Sequence, residues 1–135
     1  MKLDIKLIGY INLFENKTGV PVKDCFMDRN DNLVFVVKQG FGSKAVGKQG
    51  VMIKNLRNLY KKKIRIIEYN DDPVIFVKNI IYPLKPIEII LKEKNIVIKA
   101  ENTQQRGLLI GRDKQNLISL KSILNKFYNY DVLIE

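Results

Sequence analysis

The chain has no histidine, and its 135 residues include a single cysteine, Cys25. Without histidine the commonest general base and metal ligand is missing. With only one cysteine besides, a structural zinc site is excluded. Carboxylates and lysines are left for catalysis, but no nucleophile–base arrangement is visible among them, and Glu15 and Asp24 have no convergent partner. Cys25 has no second cysteine to bridge to, which suits a reducing, cytoplasmic setting. No apolar run approaches the ~20 residues that a membrane span needs. The N-terminus, Met1-Lys2-Leu3-Asp4-Ile5-Lys6, mixes charge with apolar residues and does not read as a signal peptide. These absences predict a protein that is not an enzyme, with no cofactor, no metal and no membrane partner.

Positive charge is plentiful. The formal net charge is +10, and 46% of the residues are hydrophobic, so the chain is globular and not a basic tail. The charge is uneven. Residues 1–70 carry 14 Lys and Arg against 6 Asp and Glu, a net of +8, while residues 71–135 carry 10 against 8, a net of +2. A nucleic-acid partner would draw most of its electrostatic affinity from the first half.

The chain also repeats itself. Val46-Gly47-Lys48-Gln49-Gly50 has a counterpart in Ile110-Gly111-Arg112-Asp113-Lys114, and the two leading glycines are 64 residues apart. Leu3, Leu7, Ile8, Ile11 and Phe14 have helical spacing over residues 3–16, and Thr18-Gly19 ends that helix. Two strands follow at 20–27 and 33–38, joined by the turn-forming run Asp28-Arg29-Asn30-Asp31-Asn32. A short helix at 43–46, the glycine loop, a helix at 50–61 and a strand at 64–69 complete the first half. The second half runs in the same order: a helix at 72–82, a hairpin of 86–91 and 96–101, helices at 105–110 and 114–127, and a strand at 132–134. No disordered linker separates the halves, so the 72–82 helix serves as both connection and first element. Units of this size lie near the lower limit for an independent core, which predicts that the halves pack on each other or share a helix.

Glycine lets a sugar-phosphate backbone approach the main chain and permits unusual dihedrals. The helix after such a loop presents free N–H groups and a partial positive charge suited to phosphate. Lys48 adds a point charge and Gln49 a hydrogen-bonding side chain. Val46, Ile53, Val36 and the edge of the third strand are candidate walls for unstacked bases. A Gly-x-x-Gly alone is a weak signal and more often marks a helix–turn–helix corner with glycines as caps. Three features favour backbone contact here: the loop lies between two helices, the surrounding order recurs, and the residue after the first glycine is basic both times.

Other residues read more plainly. Lys61-Lys62-Lys63 gather where a helix C-terminus favours cations. Asp71-Asp72-Pro73 is a helix-start signal, not a metal pair. Cys25 lies on a strand as a core residue. Tyr60, Phe127, Tyr128 and Tyr130 sit near the ends of core helices and read as packing residues.

A strand–helix–Gly-x-x-Gly–helix–strand order resembles the KH domain, and the extra helix and strand before it resemble the type II form. The stretches Tyr10-Ile11-Asn12-Leu13-Phe14-Glu15, Thr18-Gly19, Val34-Phe35-Val36-Val37-Lys38-Gln39-Gly40 and Ala45-Val46-Gly47-Lys48-Gln49-Gly50 carry a closer resemblance. With Ile67-Glu68-Tyr69-Asn70-Asp71-Asp72-Pro73 and Gly107-Leu108-Leu109-Ile110-Gly111-Arg112-Asp113, they make nearly the whole chain similar to the small archaeal NusA-like transcription factors. That resemblance implies an α+β chain of two tandem type II KH domains, each α-β-β-α-α-β and rigidly linked, at residues 1–70 and 71–135. It implies binding of single-stranded RNA and modulation of elongation, termination or antitermination, with RNA polymerase or the ribosome as a further partner and a monomeric state. The implied RNA-binding positions are Gly47, Lys48, Gln49 and Gly50, with Lys44 and Lys54 beside them, and Gly111, Arg112, Asp113 and Lys114 extending the site.

Two positions depart from the family pattern. Lys114 stands where the pattern has glycine. If that position needs positive φ, the lysine costs roughly 1 kcal/mol or the loop changes shape. Ser43-Lys44 stands where the pattern has glycine then an apolar residue, so Lys44 either adds a phosphate contact or faces solvent. Two other readings stay open. One is a ribosomal-RNA-binding or ribosome-assembly factor. The other is a protein-interaction scaffold with degenerate loops, which Lys114 and the nearly neutral second half favour and the +8 first half opposes.

Overall fold

A computed structural model describes residues 5–135. Leu3 of the expected first helix, and the start of the mixed-charge N-terminus, lie outside the described residues. Two compact units divide the chain, Met1–Tyr69 and Asn70–Glu135. Each carries helices and one three-stranded sheet, an α+β arrangement that fits a KH-type fold.

In the first unit α1 (Ile5–Thr18) ends where Gly19 turns left-handed at φ 68° and donates its N–H to the Glu15 carbonyl. Thr18 is buried and donates its hydroxyl to the Phe14 carbonyl. The strands β1 (Val22–Met27) and β2 (Leu33–Val37) pair antiparallel. The Asp28 carboxylate fixes their turn by accepting the N–H groups of Asn30 and Asn32. After α2 (Gly42–Val46) and α3 (Val51–Tyr60), β3 (Ile64–Glu68) pairs parallel to β2, so the sheet order is β1-β2-β3.

Every residue of β2 is buried, on both pleats. Leu33, Phe35 and Val37 join Phe14, Cys25, Leu56 and Tyr60 in one core. Phe14 stacks on Phe35 with ring centroids 4.2 Å apart. Truncating a buried aromatic of this kind to alanine costs about 3–5 kcal/mol. Tyr60 donates its hydroxyl to the Tyr10 carbonyl, and burial, ahead of Cys25 and Tyr10, raises its pKa well above the ordinary range.

In the second unit α4 (Pro73–Ile81) starts at Asp72, whose carboxylate accepts the N–H of Val74, with Pro73 in the first turn as expected. The hairpin β4 (Glu88–Lys92) and β5 (Asn95–Lys99) turns on two residues, with Glu93 left-handed. Then come α5 (Thr103–Ile110), α6 (Gln115–Leu124) and β6 (Asp131–Ile134), which pairs parallel to β5. This core holds Phe76, Val77, Ile80, Ile96, Ile98, Leu109, Leu120, Leu124 and Val132. Burial along β5 alternates, unlike that along β2.

The order of elements is the expected one, and the boundaries move for local reasons. The fourth strand starts after Pro86, which has no N–H for a ladder; Ile87 makes the first bond, to the Lys99 carbonyl. Helix α5 starts two residues early because the Asn102 side chain caps the Gln105 N–H. Helix α6 ends at Leu124, not 127, as turns place Phe127 edge-on to Phe76 with centroids 5.5 Å apart.

Candidate nucleic-acid interface

The first loop begins where α2 stops. Gly47 donates its N–H to the Ser43 carbonyl and takes φ 79°, ψ 169°, a region essentially reserved for glycine. A side chain there would also meet Met52, with Cβ 2.7 Å and backbone N 2.8 Å away. Gln49 (φ 55°, ψ 27°) and Gly50 (φ 74°, ψ 14°) are both left-handed, and the Gly50 N–H bonds the Gly47 carbonyl. Helix α3 starts with no side-chain cap, but the N–H of its first residue, Val51, is taken by the Lys48 carbonyl. Lys48, Gln49 and Lys54 are exposed.

The second loop has the same backbone. Gly111 takes φ 75°, ψ 171°, Asp113 φ 55°, ψ 31°, and Lys114 φ 61°, ψ 19°. Gly111 donates to the Gly107 carbonyl and Lys114 to the Gly111 carbonyl. Lysine in place of glycine therefore leaves the loop's shape unchanged. The position tolerates this because it needs only the left-handed conformation. A Cβ on the matching Gly50 meets nothing nearer than Ile53 Cγ2 at 3.6 Å. Gly111, by contrast, is crowded by Asn116, whose amide donates 2.8 Å to the Leu108 carbonyl. Arg112, Asp113 and Lys114 are exposed.

The flanks of the loops differ. With the 64-residue offset, Lys44 and Lys54 correspond to Leu108 and Ile118, which are 52% and 53% exposed. Helical periodicity assigns apolar residues to the core, so spacing does not single these two out. The Lys44 ammonium lies against Gly19, 3.2 Å from where a Cβ would stand, at the end of α1 where the dipole favours a cation. Lys61, the first of the three-lysine run, caps the C-terminus of α3.

Of the expected groove walls, Val46 and Ile53 are half-buried and β3 is a sheet edge. Val36 is not a wall: it is fully buried within β2 and has no surface to offer a base. Tyr60 packs in the core, Tyr128 bonds the Asn70 carbonyl and Tyr130 stacks on Tyr128, so packing accounts for these aromatics. Cys25 is buried. Glu15 accepts the Val22 N–H and Asp24 the Cys25 N–H. Among the described residues no group of three acidic, cysteine or histidine side chains is placed to hold a metal, and no helix is long and apolar enough to cross a membrane.

No protein-family model matches the chain. The probable transcription termination protein NusA of Methanococcus vannielii is 35% identical over 120 residues, covering 87% of this chain and 69% of that one. Its namesake from Methanocaldococcus jannaschii is 31% identical over 129 residues, covering 93% and 70%. The crystal structure of APE1850 superposes with a TM-score of 0.76 at 30% identity, covering 98% of this chain and all of that one.

Proposed function

The chain belongs to the archaeal NusA family, and from that premise we propose that it is a transcription factor that binds single-stranded RNA through two type II KH domains, residues 1–70 and 71–135. Its targets are nascent transcripts, and its effect is on elongation or termination by RNA polymerase. The action is binding and steering, with no bond made or broken. The observation that carries this reading is the recurrence of one loop conformation at 47–50 and 111–114, each time between two helices and each time with a basic residue after the first glycine.

In the first loop, Gly47 and Gly50 keep the main chain clear, and Lys48 meets the phosphates. Gln49 supplies a hydrogen-bonding side chain, with Lys54 one turn further on. In the second loop Arg112 and Lys114 supply charge, Asp113 opposes it, and the flanks are apolar. The first loop is therefore the principal RNA site. A second reading, a protein contact, is favoured only at the second loop, by the exposure of Leu108 and Ile118.

The test is binding of short single-stranded RNA across a salt series. Lys48→Asp/Gln49→Asp is expected to lose affinity at least tenfold with a shallower salt slope, and Arg112→Asp to lose less. Native-like binding by both variants would remove the loops from the RNA site.

A further inference from the structure

A cavity of about 340 Å³ lies at the C-terminal end of α4, lined by Lys78, Asn79, Tyr82, Leu84, Lys85 and Pro86. That volume is at the lower end of small-ligand sites. Tyr82 is 72% exposed. The other five tyrosines are all engaged. Tyr10 packs edge-on to Tyr60, Tyr60 bonds the Tyr10 carbonyl, Tyr69 lies under Lys23, Tyr128 bonds the Asn70 carbonyl and Tyr130 stacks on Tyr128. Among the described residues Tyr82 alone has neither a ring partner nor a hydroxyl hydrogen bond. No acidic residue lines the cavity, and the exposed Lys78 and Lys85 ammonium groups have no carboxylate partner among the described residues.

The wall is held in place. Gln105 is a buried polar residue; its side-chain amide donates to the Lys85 carbonyl and its Oε1 accepts the Glu101 N–H. Helix α5 thus ties this wall to the element that leads into the second loop. Gln105 and Gly111 are about 9 Å apart along the helix axis.

We propose that this pocket is a second contact for single-stranded RNA, in which one base stacks on the Tyr82 ring and Lys78 and Lys85 meet the adjoining phosphates. A flat, unpartnered aromatic between two unpaired cations, with no opposing charge, is what a sequence-tolerant nucleotide site requires. The inference rests on the RNA-binding reading but uses none of its loop residues. It also gives the nearly neutral second unit a share of the RNA that its own loop does not supply.

Two RNAs separate the sites: one of about four nucleotides, the reach of a single glycine loop, and one of about 12 nucleotides. Tyr82→Ala is expected to weaken the longer RNA about tenfold and leave the shorter unchanged, while Tyr82→Phe, which keeps the ring, binds as native. Lys78→Gln/Lys85→Gln is expected to reduce the salt slope for the longer RNA by about 1.4. Thermal unfolding checks that each variant is folded, and Lys48→Asp/Gln49→Asp is measured alongside. If Tyr82→Ala binds both RNAs as native while the loop variant fails, the pocket proposal is overturned, the loop reading stands, and the pocket is left to a protein partner. If Tyr82→Ala fails on the longer RNA while the loop variant binds as native, the pocket stands and the loop reading falls. A native chain that binds neither RNA removes both.

Discussion

The loops at 47–50 and 111–114 share a backbone to within about 13° at their left-handed positions, yet they stand in different chemical surroundings. The first is set between Lys44 and Lys54 and ends in glycine. The second is set between Leu108 and Ile118 and ends in lysine. The difference shows that the two ends of such a loop are under different constraints. The first position is fixed twice over, by a φ/ψ region that side chains avoid and by the turn of helix packed against it. The fourth position is fixed only by φ, and open space beside it lets lysine stand there at a modest cost.

The largest effect should come from the first position. Gly47→Ala puts a Cβ onto the Met52 backbone, so a loss of about 3 kcal/mol is expected in urea unfolding. Gly111→Ala meets the movable Asn116 side chain instead and should cost less. Equal losses would show that strain alone decides. Next comes the fourth position. Lys114→Gly should stabilise the chain by about 0.5–1 kcal/mol through relief of the left-handed lysine, and Gly50→Lys should destabilise it by a similar amount. A change of the same sign in both would break the equivalence of the loops.

The flanks offer a subtler exchange. Leu108→Lys/Ile118→Lys gives the second loop the charge of the first, and should raise affinity for single-stranded RNA a few-fold and steepen its salt dependence by up to about 1.4. An unchanged slope would mean that flanking charge does not separate the two sites. The smallest effect concerns Asp131, whose pKa is lowered first by the hydrogen bond from Lys121 at 2.8 Å and then by the Val132 N–H. Its contribution to stability is present above the unfolded carboxylate pKa and is lost as pH falls through the lowered, folded value. The carboxylate is more than half exposed, so only a few tenths of a kcal/mol are at stake. Asp131→Asn should flatten the acid limb of stability by that amount.

The sequence made the order of elements legible because each is marked by a local signal: Thr18-Gly19 at the end of α1, Asp28 in the hairpin, and Asp72-Pro73 at the start of α4. The earlier start of α5 was marked as well, by Asn102 with Gln105 three residues on, a capping pattern in which the glutamine side chain reaches back to Glu101. Other features need the third dimension. Leu33–Val37 is apolar throughout, which fits a strand buried on both faces, yet Val36 read as a groove wall. The tolerance for Lys114 depends on empty space beside a Cβ, and the exposure of Leu108 and Ile118 depends on which face of each helix meets the core. Spacing alone carries neither.

The complete burial of β2 sets a timescale. Amide protons on a central strand with no solvent-facing pleat exchange only through opening of the unit, whereas β5, half-open along its length, admits local excursions. In deuterated water, residues 33–37 should keep their protons longest in the first unit. The lifetime of those few amides then reads out the cooperative stability of everything folded around them, loop included.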